Sequence, residues 1–246
     1  MDPTTYDDES AVEADHWWFK GRRRLFGGIL RQIGLPRDAR ILDAGTSSGT
    51  NLRLMREAGF TNYVGLEISE RAIELCAKKG LGPIEQGDIL NMPFQGSSFD
   101  FAFVTDVIEH IDADDRALSE IARVLKPGGH CLITVPAFPS LWGHQDIVSH
   151  HKRRYRLRPL LQLVRAGGLQ PMSWYYFNYL LFLPIWLVRL GAVALRLEPR
   201  SENRLNTPLL NAILFGLFTI DVVTAPWIRP PFGVSILVLC QKPNVD

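Results

Sequence analysis

The sequence is poor in cysteine, in net charge and in unbroken apolar runs. Its three cysteines, Cys76, Cys131 and Cys240, stand far apart and form no CxxC pair. That excludes a disulfide framework and a thiolate metal site, and predicts ordinary thiols in a reducing compartment. Lysine plus arginine number 27 against 26 for aspartate plus glutamate, so no global field invites a nucleic-acid partner. Repeats and low-complexity tracts are missing from the 246 residues, a length suited to one large α/β core. The opening stretch, MDPTTYDDESAVEADH, is acidic and has no apolar h-region, so a cytoplasmic location is expected rather than secretion.

What is present is an alternation. From residue 39, the short apolar runs RILDAG, YVGLEI, FDFAFVTD and HCLITVPA are separated by helix-like stretches such as SERAIELCAKKG and DDRALSEIARVLKPGG. Apolar strands spaced by helices predict a parallel sheet covered on both faces. Right-handed crossovers make that sheet doubly wound, with ligands at the carboxyl ends of its strands. Ser69 is expected to cap one helix, and Gly128-Gly129 to end another.

The first strand ends at Asp43, and the loop Gly45-Thr46-Ser47-Ser48-Gly49 leads into the helical TNLRLMREAG. This is GxxxG, not the GxGxxG that holds a pyrophosphate, and a Walker ending is missing too. A nicotinamide dehydrogenase is therefore disfavoured. The second strand ends at Glu67, which can accept two hydrogen bonds from the hydroxyls of a free ribose. The third ends at Asp88, which can accept from an adenine amine, with Ile68 and Ile89 as apolar walls. Singly, Glu67 also fits a helix start and Asp88 a turn. In order, three strand tips describe adenosine without a pyrophosphate.

The motifs ILDAGTSSGTNL, GLEIS, GDILNMPFQGSSFDFAFVTDVIEHI and RVLKPGGHCLITVP, running through residues 39–136, resemble the class I S-adenosylmethionine-dependent methyltransferase family. The broad group includes the quinone-biosynthesis methyltransferases. The resemblance implies S-adenosylmethionine as cofactor, S-adenosylhomocysteine as product, and a Rossmann-like, doubly wound, seven-stranded sheet. Its antiparallel last strand is expected within residues 232–243. It also implies a cofactor cradle of Asp43, Gly45, Thr46, Ser47, Gly49, Glu67, Ile68, Asp88 and Ile89, with Thr105 and Asp106 beside the methionine part. Ser47 stands where the family usually has glycine; it is tolerable if its φ stays negative.

Methyl transfer needs an in-line arrangement, exclusion of water and, for some acceptors, a base. Two segments carry base candidates: TDVIEHI, with His110, and FPSLWGHQDIVSHHKRRY, with His144 and His151. Arg153 and Arg154 fit either phosphate or carboxylate recognition or pairing with Asp112, Asp114 or Asp115. Asp106, Glu109 and His110 have i, i+3, i+4 spacing. Some methyltransferases that this sequence resembles hold a divalent ion with a glutamate-x-x-glutamate-histidine string and a further histidine. Aspartate at the first position departs from that string, and no metal is expected.

Two segments lie outside the core pattern. HWWFKGRRRLFGGILRQIG has helical spacing at Leu25, Ile29 and Ile33. It reads as a core-covering helix or as a lid, with Trp18 closing the site and Arg23 meeting the methionine carboxylate. Between a probable sixth strand, LQPMSWYYF, and the last lie two apolar runs, interrupted by Pro184, Arg189 and Arg196 and by Asp221 and Pro226. Neither is a clean membrane span. They suit a pocket wall, a membrane interface or a homodimer contact. The expected layout is a helical lid at 1–38, a core at 39–178 and 231–246, and an apolar helical cap at 179–230. The expected activity is methyl transfer to a small lipophilic acceptor: a quinone or polyketide ring, a prenyl chain or a lipid-linked compound. The location is then cytoplasmic, or peripheral on the inner face of the membrane. The rival is a non-catalytic adenosyl-binding subunit that docks on a membrane or another enzyme.

Overall fold

The computed structural model of the chain describes residues 3–194 and 207–244. Two helices, α1 (Pro3–Val12) and α2 (Trp17–Gln32), precede β1 (Ile41–Ala44). There follow α3 (Thr50–Glu57), β2 (Tyr63–Glu67), α4 (Glu70–Lys78), β3 (Ile84–Gln86), β4 (Phe99–Thr105), α5 (Asp114–Val124) and β5 (Leu125–Pro136). The remainder is α6 (His144–Val148), α7 (Leu157–Ala166), β6 (Gln170–Phe177), α8 (Phe182–Ala194), α9 (Pro208–Ile228) and β7 (Ser235–Gln241).

The seven strands lie in the order β3-β2-β1-β4-β5-β7-β6. The first five in this order are parallel neighbours, and β7 runs antiparallel to both β5 and β6. Because strand side chains alternate, neighbouring residues feed opposite cores. Leu42, Ala102, Val104 and Ile133 pack with α5 and α7 on one face. Ile41, Phe101, Phe103 and Leu132 pack with α2, α3 and α9 on the other. Strand order reverses between β1 and β4, which opens a crevice at their carboxyl ends.

Ser69 caps α4, its side chain accepting from Ala72 N. The helix end expected at Gly128-Gly129 comes earlier. α5 stops at Val124 because Leu125 is already extended and pairs with Phe99, and Gly128, at φ 76°, turns the chain inside β5. The segment before β1 holds two helices, not one. α1 forms from residues that read only as acidic, and its Tyr6 packs on Ala72 and Leu75 of α4.

The expected apolar insertion stands between β6 and β7 as α8 and α9, with Arg196 outside the described residues. α9 lies along α2. Phe218 sits so close to Gly21 that a Cβ there would come within 2.0 Å of its ring. Asp221, buried, accepts from the backbone N–H groups of Asn178, Tyr179 and Leu180 at 2.6, 2.6 and 2.9 Å. The aspartate that interrupts the apolar run therefore ties the helix to the end of β6.

Candidate active site

The tips of β1, β2 and β4 meet around the Gly45–Gly49 loop. Gly45 (φ 77°) and Gly49 (φ 95°) are left-handed, and Cβ atoms there would lie 2.6 Å from Val107 and 2.7 Å from Leu81. Ser47 is also left-handed, at φ 49°, against the expected negative φ. The turn is fixed from outside: Ser47 N donates to Glu67 Oε2 at 2.8 Å, and Cys76 Sγ donates to Ser47 O at 3.3 Å. Glu67 Oε1 also accepts from Ile68 N and Ser69 N, each at 3.0 Å. One carboxylate thus shapes the loop and the start of α4 together.

Two adjoining cavities share Gly45, Ser47, Asp106 and His110. The first, about 250 Å³, has Glu67, Ile68, Asp88 and Ile89 on its walls, with Tyr6 of α1. The second, about 270 Å³, is lined by the His16–Phe19 stretch, Arg22, Thr46, Thr105, Asp106, His110 and His151, with Ile185 and Arg189 of α8. The candidates Gly45, Thr46, Ser47, Glu67, Ile68, Asp88, Ile89, Thr105, Asp106 and Trp18 therefore converge on one cleft. Asp43 and Gly49 support it from beneath. Asp43 is buried, accepts from Asn51 Nδ2 at 2.8 Å, and is pushed up to about 6 by burial.

Arg23 does not reach the cleft; it donates to the carbonyls of Glu13 and Ala14 at 2.8 and 3.0 Å. Arg22 reaches it instead, 2.7 Å from Asp106 Oδ2, because one residue along a helix turns a side chain by about 100°. His144 is likewise absent from the cavity walls. α6 turns Gln145 and Ser149 inward, and His144 opens the helix half-buried beside them.

His151 enters the cavity held from behind. Its Nδ1 lies 2.8 Å from Oδ1 of Asp146, which is fully buried and also accepts from Arg154 Nε at 2.8 Å and Gly143 N at 2.8 Å. Burial alone would raise Asp146; the His151 hydrogen bond and the Arg154 charge outweigh it and hold the carboxyl at about 2. His110 packs edge-on to His151 with ring centroids 4.7 Å apart, and burial, then the neighbouring His151, lowers it to about 4. Arg153 pairs with Asp114 at 2.8 Å. Arg154, buried, serves Asp146 and the Ala137 carbonyl. Arg153 thus pairs with one of its expected aspartates, whereas Arg154 pairs with Asp146, which was not among them.

Two wall residues of α1, Tyr6 and Glu9, were not among the sequence candidates. Glu9 faces the cleft from α1, accepts from Ser47 Oγ at 3.3 Å, and is pushed up to about 7 by burial. The spacing of Tyr6, Glu9 and Glu13 along one helix face was the available clue. Glu109 is wholly buried, with neither carboxylate oxygen partnered, and burial raises it well above the usual range. Ligand atoms of Glu109, His110 and His151 lie within 4.8 Å of one another, a donor set with the chemistry to hold a divalent ion.

The charge of the cleft tests the cofactor. The first cavity carries Glu67, Asp88 and Asp106 and no lysine or arginine among its described walls. In the second, burial pushes Glu9 and Glu109 up, and Arg22, Arg154 and Arg189 face them, the last two turned toward Asp146. An acid-lined cleft with Glu67 at a strand tip fits an adenosyl group carrying an ammonium and a sulfonium. It opposes a pyrophosphate.

Residues 42–133 match the family described as "Methyltransferase domain". The tRNA (carboxymethyluridine(34)-5-O)-methyltransferase of Arabidopsis thaliana is 36% identical over 104 residues, 41% of this chain and 25% of that protein. The demethylmenaquinone methyltransferase of Bacillus licheniformis is 24% identical over 175 residues, 69% of this chain and 73% of that protein. Of the Arabidopsis relative and three further curated relatives, the chain spans only 25% to 52% of the length. Among solved structures, a Haloferax volcanii methyltransferase in complex with the Trm112 activator superposes with a TM-score of 0.65 at 18% identity, covering 99% of this chain and 96% of that one. With the sheet order, these likenesses make residues 42–133 a methyltransferase domain, set in a fold similar to that of the class I S-adenosylmethionine-dependent methyltransferases.

Proposed function

We propose that the protein transfers a methyl group from S-adenosylmethionine to a small lipophilic acceptor. The observation that carries this reading is the continuity of the cleft. Acidic strand tips at Glu67 and Asp88 lead past Asp106 to a chamber walled by Trp17, Trp18, Phe19, Ile185 and Val234, where His151 waits. When bound, the cofactor supplies an electrophilic methyl group. The chain's own residues do the rest. Glu67 and Asp88 hold the adenosine end, and the Arg22–Asp106 pair and Glu9 meet the charged end. The aromatic wall excludes water and orients the acceptor.

His151 is the base. With Nδ1–H donating to the Asp146 carboxylate, the Nε2 lone pair is free to take a proton from the acceptor. Asp146 is a positioning residue that fixes the tautomer. Arg153 is committed to Asp114, so the acceptor need not carry a phosphate. The apolar walls and near-zero net charge favour an acceptor of the kind named for the Bacillus relative over the tRNA of the Arabidopsis one.

Incubation of the protein with methyl-labelled S-adenosylmethionine and cell extract tests the reading. Label is expected in the organic fraction, and His151→Gln should lower turnover while cofactor affinity, measured by calorimetry, holds. Label in protein or nucleic acid would discard the acceptor class. Cofactor binding with no label in any fraction would favour the non-catalytic subunit.

A further inference from the structure

We infer that the outer face of α9, continued by α8, lies flat in the interface of a lipid bilayer and seats the cleft beside it. This surface goes beyond methyl transfer, and it stands whatever the cleft catalyses.

α9 has 21 residues, about 31 Å of helix, with a mean hydropathy of 1.7 over its most apolar window. Its exposed positions run the whole length: Leu209, Ile213, Leu217, Ile220, Val223 and Trp227 among them. Trp227 is 87% exposed. None of the exposed positions on α9 is charged, and the Trp227 indole is the one side-chain hydrogen-bonding group among them. A chain in water gains nothing by holding such a face open, so something apolar covers it.

The occupant follows from what the face offers. A protein interface carries roughly one hydrogen bond per 100–200 Å². This face has almost nothing with which to make them, whereas hydrocarbon asks for none. At its margins stand cations: Lys20 Nζ lies 4.8 Å from the Phe215 ring, and Arg229, exposed, follows Trp227 and Ile228. Cations and a tryptophan at the rim of an apolar face are what a headgroup layer, and an anionic one above all, accommodates.

α9 is long and apolar enough to cross a membrane, yet its inner side excludes that. Phe218, Val222 and Ala225 are buried against the body, and the Asp221 carboxylate is held by three backbone N–H groups. Extracting it into lipid would strand those donors and a carboxylate in hydrocarbon. The helix therefore lies in the plane. α8 starts against the loop that follows α9, with Phe182 and Phe232 ring centroids 5.1 Å apart, and exposes Leu183, Leu187 and Val188. Its inner side gives Ile185 and Arg189 to the cavity. One helix thickness, about 10 Å, then separates the bilayer from the cleft.

Flotation of the full chain with phosphatidylcholine vesicles containing one quarter phosphatidylglycerol tests this. The protein is expected to float, and the double variant Ile213→Glu/Ile220→Glu to bind at least roughly tenfold more weakly. Both side chains are exposed, so its urea midpoint and its cofactor affinity should match those of the unaltered chain. Trp227→Phe should remove part of the fluorescence blue shift that vesicles cause. Failure to float overturns the inference, as does equal flotation of the double variant. A dimer that the double variant dissolves, in a chain that ignores vesicles, would assign the face to a second copy. Flotation reads no chemistry, so its failure leaves the methyl-transfer reading intact. A chain that floats but binds no S-adenosylmethionine would defeat only the latter.

Discussion

Replacing Asp221 by alanine removes the acceptor for three backbone donors in one step. Hydrogen bonds to a charged group contribute about 1.5–3 kcal/mol each, and an orphaned buried donor costs about 1–3 kcal/mol. The three donors are not equivalent. The bond from Asn178 N is buried, while those from Tyr179 and Leu180 are partly open, so water can replace the carboxylate at the last two. A further offset comes from the carboxylate itself, since burial raises the Asp221 pKa against the pull of its three hydrogen bonds. One full penalty and two partial ones, less the relief of a buried charge, give a loss of about 3 kcal/mol for Asp221→Ala. Asp221→Asn keeps one acceptor oxygen and should lose about half as much. Equilibrium urea unfolding at neutral pH reads both values. With a slope near ~3 kcal/mol/M, the alanine variant's midpoint should fall by about 1 M. A loss under about 1 kcal/mol would mean that Asn178–Leu180 find other partners, and that α9 is not fastened as described.

Glu67→Ala should weaken S-adenosylmethionine binding at least tenfold (about 1.4 kcal/mol) by calorimetry; unchanged affinity would remove the ribose role. His110 is lowered from 6.5 to about 4, so the unfolded chain takes up a proton that the folded one refuses. Its neutral state is free of this penalty above pH 6.5, and stability is lost as pH falls from there toward 4, by up to about 3 kcal/mol. His110→Gln should flatten the stability profile in that window, and parallel profiles would refute the assignment. Turnover should survive EDTA. Loss of activity restored by a divalent cation would make Glu109, His110 and His151 ligands rather than a base and its neighbours.

The parts of the site that were legible in the sequence are those set by strand tips. A strand delivers its last residue to the same edge of the sheet whatever the loops do, so Glu67, Asp88 and Asp106 reach one cleft from order alone. Helix phase within a uniform run is not legible in that way. In Arg22-Arg23-Arg24 nothing local says which guanidinium faces inward, and packing of Phe26 and Leu30 on the core decides it. His144 and His151 sit around a helix of five residues, too short for a periodic signal, and the buried Asp146 selects between them. The φ of Ser47 was equally hidden. Glu67 fixes that turn from twenty positions away, and local preference yields to the hydrogen bond. Glu9 and Tyr6 were missed because an acidic opening looks solvated until a partner surface appears.

The placement of β7 between β5 and β6 also sets an order of events during synthesis. Among the described residues β6 has no sheet neighbour other than β7, so it stays unpaired until about sixty further residues have been made. At ~5–20 residues per second that is roughly 3 to 12 seconds, and the residues made in that interval are those of the apolar pair α8 and α9. Of the two, α9 can settle on α2, made long before it, while its tie to the end of β6 through Asp221 forms only as the helix itself emerges. Until β7 arrives, the open edge of β6 and the apolar outer faces of both helices stand exposed together.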